Sequence, residues 1–403
     1  MKKIVFFSEY IYPADNSTAY FLTDIVKTGA VVFDGNGAVV TSAKLPKEMP
    51  ELSVPDNFII KRIRVCNLDK NKLIHRIFKF LYITLIFTLH SFRLVRKNDV
   101  VFSVTNPAFT VFVFAIIKKI LRFKYILLAY DIFPENLLAA KLTSSKSCIY
   151  RVCKKLFDWA YAQADYVIAI GRDMQNVLKT KGVKEDRIVL IQNWANPEKI
   201  CASDKNENPI IKKLAWENKK VFMFAGNIGR VQGIENLLNA IKTASEDNMA
   251  FLFVGDGQML SKVKQFALDH PDINVHCTGA IPMAEQNTFL NACDIAIVTL
   301  EENMLGIGVP SKSYFSMASG RPILYIGENN SEIALCVKEN EIGWVVEPNN
   351  CDALAKQIKL IASLPDSELK NIGKSSRNIA ETKYSIKHAL QKYQNLFYEV
   401  KNL

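Results

Sequence analysis

Short apolar runs alternate with longer segments whose apolar residues recur every three or four positions along most of this chain. KKIVFFSEY, DVVFSVT, KYILLAYD and DYVIAIG are nearly continuous in hydrophobic residues, the pattern of strands buried on both faces. Between them TAYFLTDIVK, FTVFVFAIIKKIL, SCIYRVCKKLFDWAYAQA and RDMQNVLKTKG carry helical periodicity. This order predicts an α/β protein with a parallel, doubly wound sheet. A polar stretch, CASDKNENPIIKK, then interrupts the pattern, which restarts with KKVFMFAG, NMAFLFVGDG, INVHCTGAI, DIAIVTL, RPILYIG and GWVVEP. Two Rossmann-like domains in tandem follow as the expectation, residues 1–200 and 201–383. Residues 384–403 form an amphipathic terminal helix that can pack back on either. In this architecture ligands bind beyond the carboxyl ends of the strands, so the two domains are expected to face each other across a cleft.

The length of 403 residues agrees with two or three domains. No window approaches the ~18 uninterrupted apolar residues of a membrane span. The apolar start meets Glu9 too early for a signal peptide, so it reads as a first strand. The eight cysteines are scattered without a CxxC pair, and no Asp-x-Asp pair occurs. Zinc, a disulfide framework and a divalent cation on paired carboxylates are therefore not expected, and a cytosolic setting is. The net charge of +11 is uneven: residues 1–200 hold 30 Lys/Arg against 17 Asp/Glu, and the remainder 21 against 23. An anionic surface or a phosphate-bearing substrate for the first half follows from that split. Nucleic acid is ranked low, because no zinc-finger, RNP-type or helix-turn-helix pattern is present.

Four stretches carry candidate chemistry. In FAGNIGRVQGIENLLNAI, Gly226, Gly229 and Gly233 surround Arg230 between a strand and a helix. Such a turn lets backbone N–H groups and a guanidinium approach a phosphate, or it is simply a turn. FLFVGDGQML places Gly255 in a second loop of this kind, although Asp-Gly is also ordinary turn chemistry. In GVPSKSYFSMASGRP, Pro310 and Ser311 open a short helix over 312–319, with Ser311 as its cap, closed by Gly320 and Pro322. Lys312 then lies in the first helical turn, where the macrodipole opposes a cation unless an anion meets it. In LLAYDIFPENLLAA, Asp131 stands at a strand's carboxyl end, with Glu135 shortly after. It can orient a substrate hydroxyl, act as a base, or only form a turn.

Residues 70–97 hold seven Lys/Arg, two His and no acid among large apolar residues, and KKILRFK at 118–124 adds four more basic residues. A helix of that composition can lie in a membrane interface or be a buried helix with solvated flanks.

Taken in order, DIFPEN, ADYVIAIGRDMQNVLKTKGV, IVLIQNWAN, FAGNIGRVQGIENLLNAI, FVGDG, NVHCTGAIP, DIAIVTL and VPSKSYFSMASGRPIL resemble the family 4 nucleotide-sugar glycosyltransferases of the GT-B fold. The likeness is to the bacterial branch of capsule, O-antigen, lipopolysaccharide and colanic-acid assembly, including N-acetyl-fucosaminyl transferases. The resemblance implies a retaining, metal-independent transferase with no cofactor, whose UDP-sugar donor is a co-substrate. Donor diphosphate contacts would come from Gly226, Asn227, Gly229, Arg230 and Lys312, helped by Gly255, Pro310 and Ser311, with the base near Gly279, Ala280 and Ile281. Arg230 and Lys312 would stabilise the departing diphosphate and Asp131 would orient the acceptor hydroxyl. The acceptor, a polyprenyl-diphosphate-linked glycan, would meet the first domain at the inner leaflet of the cytoplasmic membrane, with Asn16, Ser17, Thr18 and Glu135 as further contacts. The terminal helix would return to the first domain.

Three departures stand out. Gln232 replaces the usual Lys before Gly233, YPADNSTAY replaces a glycine-rich loop, and Ile307 and Phe315 replace both glutamates of the usual pair. Two other readings therefore stay open: a degenerate homologue that binds a membrane partner or glycan without turnover, and a nucleotide-sugar 2-epimerase.

Overall fold

The computed structural model describes residues 2–65 and 73–403. Lys70 and Lys72 of the basic stretch, and Cys66, lie outside the described residues. The chain divides into two compact units: residues 1–192 with 306–308 and 389–403, and residues 193–305 with 309–388.

The first unit is built on a seven-stranded sheet of β1 (Ile4–Ser8), β2 (Gly37–Thr41), β3 (Phe58–Arg62), β4 (Val100–Val104), β5 (Lys124–Ala129), β6 (Tyr166–Ala169) and β7 (Ile188–Leu190), in the order β3-β2-β1-β4-β5-β6-β7. Every pairing in it is parallel. The apolar pattern predicts β1, β4, β5 and β6 but passes over β2, β3 and the three-residue β7. The first two of these are five residues long. β2 begins on a glycine, and β3, at the sheet edge, buries Phe58 while exposing Ile59 and Lys61.

All five residues of β1 are buried, because successive side chains enter two different helical layers. Phe6 meets Phe102 of β4 at 5.2 Å and Phe397 of the terminal helix Ile386–Asn402 at 6.1 Å. It also fills the space beside Gly29 in α1 (Ser17–Val32), where a Cβ would lie 2.4 Å from its ring. Phe7, on the opposite face, meets Phe87 of α2 (Leu73–Leu94) at 5.5 Å and Phe114 of α3 (Phe109–Leu121) at 4.8 Å. The next helices are α4 (Glu135–Ala139) and α5 (Cys148–Ala162), and α5 packs against α3 through Trp159 and Phe112 at 5.8 Å.

The second unit repeats the plan with β8 (Lys220–Ala225), β9 (Met249–Val254), β10 (Val275–Gly279), β11 (Ile295–Thr299), β12 (Ile323–Ile326) and β13 (Gly343–Val346), ordered β10-β9-β8-β11-β12-β13. All pairings are again parallel. Stacked pairs Phe222–Phe251 and Phe224–Phe253 extend across β8 and β9 at 5.5 and 6.0 Å. In each sheet the strand order reverses beside its first strand, the point at which ligands bind in doubly wound folds.

The units divide at 192/193, ahead of the expected boundary at 200/201. Residues 193–200 are tied into the second unit: the Arg377 guanidinium donates to the carbonyls of Pro197 and Ile200, and Ala195 pairs with the backbone of Tyr384 and Ile386. Residues 389–403 of the terminal helix group with the first unit. Tyr393, Phe397 and Val400 are buried there, Lys401 Nζ donates to Val32 O at 2.7 Å, and Tyr166 donates to Glu399 at 2.6 Å.

Phe397→Ala removes a ring between β1 and the terminal helix and is expected to lower the unfolding free energy by about 3–5 kcal/mol in denaturant titration. Tyr398→Ala, at a neighbouring residue that is 45% exposed, should change it by less than about 0.5 kcal/mol. Equal effects of the two would contradict the docking of this helix.

Candidate functional site

In the second unit the loops after β8, β9 and β10 are laced together by their backbones. Gly226 N–H donates to Val254 O at 2.8 Å, Gly255 N–H to Gly279 O at 2.8 Å, and Ile228 N–H to Asp256 O at 2.9 Å. Gly255 is required by this contact: its φ is +142°, and a Cβ there would lie 1.9 Å from the carbonyl oxygen of Gly226. The loop after β8 is also held from β11, where Glu301 N–H donates to Val231 O at 2.9 Å and the Thr299 hydroxyl donates to Gln232 O. The lacing fixes the backbone, and the outer surface of the turn stays open: Gly226, Asn227 and Arg230 are exposed.

Lys312 reaches this turn from the helix Lys312–Ala318. Its Nζ lies 3.5 Å from the centre of the Phe224 ring and donates to Gln232 Oε1 at 3.0 Å. A Cβ on Gly226 would be 3.8 Å from Lys312 Cε, so the glycine leaves the lysine stem room beside the turn. No carboxylate among the described residues pairs with the ammonium. Burial alone pushes its pKa down from 10.5 to about 7. Arg230 is exposed and makes no hydrogen bond or ion pair with any described residue.

The remaining donor-side residues fall around this centre, with one correction. Gly279 has φ +77° and open space on its Cα, and Ala280 and Ile281 continue past the end of β10, exposed and half-buried. Pro310 and Ser311 precede the lysine helix, but Ser311 does not cap it with its side chain as expected. Ser311 is itself in helical conformation (φ −61°, ψ −24°), whereas a capping side chain needs an extended backbone. Phe315, in the position of a family glutamate, is 7% exposed, and Ile307 is equally buried.

Phe224 and Glu301 went unnoticed in the sequence, and Gln232 stood out there only as a departure from the family pattern. Gln232 stands where the family pattern has lysine, and its amide oxygen engages Lys312. Phe224 gave no signal within an apolar strand. Glu301 follows β11, and its Oε2 lies 3.4 Å from where a Cβ on Gly233 would be. Its position just past a strand end was the available clue.

In the first unit, Asp131 follows β5. Its backbone N–H donates to Thr105 Oγ1 at 3.1 Å, its carbonyl accepts from the Tyr161 hydroxyl at 3.3 Å, and it bridges Gly308. Burial raises its carboxyl pKa from 3.8 to about 6. Glu135, the first residue of α4, accepts from Lys181 at 2.7 Å and from Lys154 at 2.9 Å, and both lysines also hold Asp158. Its charge is thus committed to a four-residue ion cluster around the buried Lys181. Asn16 caps α1, Oδ1 accepting from Ala19 N–H at 2.9 Å, with Ser17 and Thr18 in the first turn. Glu9, past the end of β1 and buried, pairs with Lys79 of α2 at 2.5 Å and was also missed. Its signal was an acid directly after a buried strand.

Among the described residues no cluster of three or more His, Cys, Asp or Glu that could hold a metal is present. A cavity of about 460 Å3 in the second unit lies elsewhere, lined by Lys205, Asp294, Arg321 and Arg377. Asp294 and Arg321 precede β11 and β12, so it opens at the amino ends of the strands, opposite to where ligands bind in this fold.

Residues 206–379 match the family of glycosyl transferases group 1, and residues 50–199 match glycosyltransferase family 4. WbjE of Pseudomonas aeruginosa, described as a glycosyltransferase, is 37% identical over 395 residues, 98% of this chain and 97% of the relative. The chain is a glycosyltransferase. WcaI of Escherichia coli strain K12, described as a colanic acid biosynthesis glycosyl transferase, is 26% identical over 204 residues, half of each chain. Two solved structures share the glycosyltransferase's fold: HepE of Anabaena in complex with UDP (TM-score 0.71, 14% identity, 100% of both chains) and WaaG, involved in lipopolysaccharide biosynthesis (TM-score 0.67, 13% identity, 98% and 99%). Both parallel-sheet units thus belong to a GT-B fold.

Because Lys312 protonates near pH 7 when folded and near 10.5 when unfolded, the unfolded chain binds the extra proton between those values. Stability therefore rises with pH across that window, by at most about 1.4 kcal/mol per unit, and the full penalty remains below it. Lys312→Met should remove this component in chemical denaturation from pH 7 to 10. Parallel curves for the two proteins would contradict the desolvated ammonium.

Proposed function

We propose that this glycosyltransferase moves a hexosyl or N-acetylhexosaminyl group from a UDP-sugar to a lipid-linked glycan during bacterial surface-polysaccharide assembly, with retention and without a metal ion. One observation carries the reading: the Lys312 ammonium, desolvated and without a carboxylate, lies beside the glycine turn that also exposes Arg230. A diphosphate is the ligand that supplies the missing charge. The reading is supported by the UDP and UDP-glucose complexes of HepE and by the colanic-acid-biosynthesis description of WcaI.

In the transfer, the acceptor hydroxyl oxygen bonds to the anomeric carbon on the face from which the diphosphate departs. The breaking bond leaves its electron pair on the diphosphate oxygen, which also takes the hydroxyl proton, and UDP is released. Negative charge grows on that oxygen, so Arg230, Lys312 and those N–H groups of the glycine turn not used in the backbone lacing act where catalysis gains most. Asp131, ionised above about pH 6, accepts a hydrogen bond from the acceptor hydroxyl and orients it; it is not a nucleophile. Gln232 holds Lys312 in place of the usual second cation. The acceptor class is a polyprenyl-diphosphate-linked glycan, met from the cytoplasmic side of the inner membrane by a peripherally bound enzyme.

Arg230→Ala and Lys312→Ala are each expected to lower kcat/KM by about 10²–10³, and UDP should raise the thermal midpoint of the wild type more than that of either variant. No stabilisation by any nucleoside diphosphate would sink the donor assignment. UDP binding should also restore the ordinary pKa of Lys312. Near pH 8, calorimetry in buffers of different ionisation enthalpy should then show uptake approaching one proton, absent in Lys312→Met. Binding without proton uptake would place the diphosphate elsewhere.

A further inference from the structure

Among the described residues, α2, α3 and α5 of the first unit expose large apolar side chains. On α2, Phe78, Leu81, Leu85, Leu89 and Phe92 are exposed at a spacing that places them on one side of the helix. The opposite side is used: Ile83, Phe87 and Ser91 are buried, and Lys79 reaches Glu9. The neighbouring α3 exposes Ile116 and Ile120. Next to it, α5 exposes Ile149, Val152 and Leu156, the first of them to 77%. Three adjacent helices thus present apolar stripes on the same layer, more than the scattered single residues of an ordinary surface.

The charge around these stripes is predominantly positive. The three helices contain eight Lys/Arg and a single acid, Asp158, which Lys154 and Lys181 already hold. Arg93, Arg96 and Lys97 are exposed where α2 ends, and Lys119 and Arg122 where α3 ends. A cavity of about 340 Å3 at that end of α3 is lined by Lys118, Lys119, Arg122 and Lys124, with Asp165 as its acid.

We propose that the α2–α3–α5 face is a docking surface for an anionic phospholipid bilayer, with α2 lying in the interface and the basic ends of α2 and α3 on lipid phosphates. Apolar side chains enter the acyl boundary while cations meet headgroups, the arrangement of interfacial helices. A second copy of the chain fits less well, because pairing two such faces opposes like charges. The stretch Ile77–Leu94 is long and apolar enough to cross a bilayer, but its inner side is packed on the sheet through Phe87 and Phe7. The proposal rests on the functional reading only in the choice of a membrane as the place of work.

The test is co-sedimentation of the full chain with vesicles of phosphatidylcholine alone or with one-third phosphatidylglycerol, at low and high salt. The wild type should bind the anionic vesicles and be released by salt. Phe78→Glu/Leu85→Glu should abolish binding, and Arg93→Gln/Lys119→Gln/Arg122→Gln should weaken it about five-fold per charge. Leu268→Glu, at an exposed site of the second unit, should bind like wild type, and circular dichroism melts confirm that each variant is folded. Equal binding by all variants, or no preference for anionic vesicles, overturns the proposal. So does a wild-type dimer that Phe78→Glu/Leu85→Glu makes monomeric, which assigns the face to a second copy, or resistance to alkaline carbonate extraction, which assigns a span. UDP binding measured without lipid separates the two readings: UDP binding with no vesicle binding removes only the docking surface, and the reverse removes only the transfer reaction.

Discussion

The ammonium of Lys312 is held over the Phe224 ring with one amide oxygen as its polar partner, and the carboxyl-end loops of the second unit are organised around it. A desolvated cation–ring contact contributes about 2 kcal/mol and a hydrogen bond from a charged donor about 1.5–3 kcal/mol. Together they do not replace full hydration, so burial wins and the pKa falls to about 7. An ammonium in that condition has a large electrostatic response to an arriving anion. Gly226 keeps space beside the lysine stem, and Gly255 allows the next loop to close against Gly226 without a side chain between them. The loop backbones, pinned from β9 and β11, hold the cation's surroundings in place.

The first unit handles its buried charges in the opposite manner. Lys181 is neutralised by Glu135 and Asp158, and Glu9 by Lys79. Such pairs contribute little net stability, yet losing one partner leaves a buried charge uncompensated. They fix α4 to α5 and α2 to the end of β1. Asp131 stands apart from them: its backbone is held by Thr105 and Tyr161, and desolvation raises its carboxyl pKa to about 6. Glu135 and Asp131 are four residues apart, but the carboxylate of one is committed to an ion cluster while the other is held through its backbone.

The alternation of apolar runs with helical periodicity was sufficient to predict two parallel α/β units, since a strand buried on both faces must be apolar almost throughout. It did not reveal β2, led by glycine, β3, an edge strand that is only half-buried, or β7, only three residues long. The glycine turn and Lys312 stood out as candidates because small residues at a strand-to-helix junction are easily seen, and the structure brings the two side by side. The contacts of Lys312 were not legible: Phe224 looks like any core residue, and Gln232, though a departure from the family pattern, gave no sign that it would accept from Lys312.

The sequence by itself determined the fold class, the duplication of the unit, the uneven charge and the identity of the cations, because these depend on local periodicity and residue chemistry. Tertiary structure decided what those cations face. It brought Lys312 under a ring and an amide but left Arg230 in solvent, it placed Glu135 in an ion cluster, and it docked the terminal helix on Phe6 and Phe102. It also aligned the exposed stripes of three helices on one layer. Burial and charge pairing are set by residues distant in the chain, and no local pattern encodes which neighbour a side chain will meet.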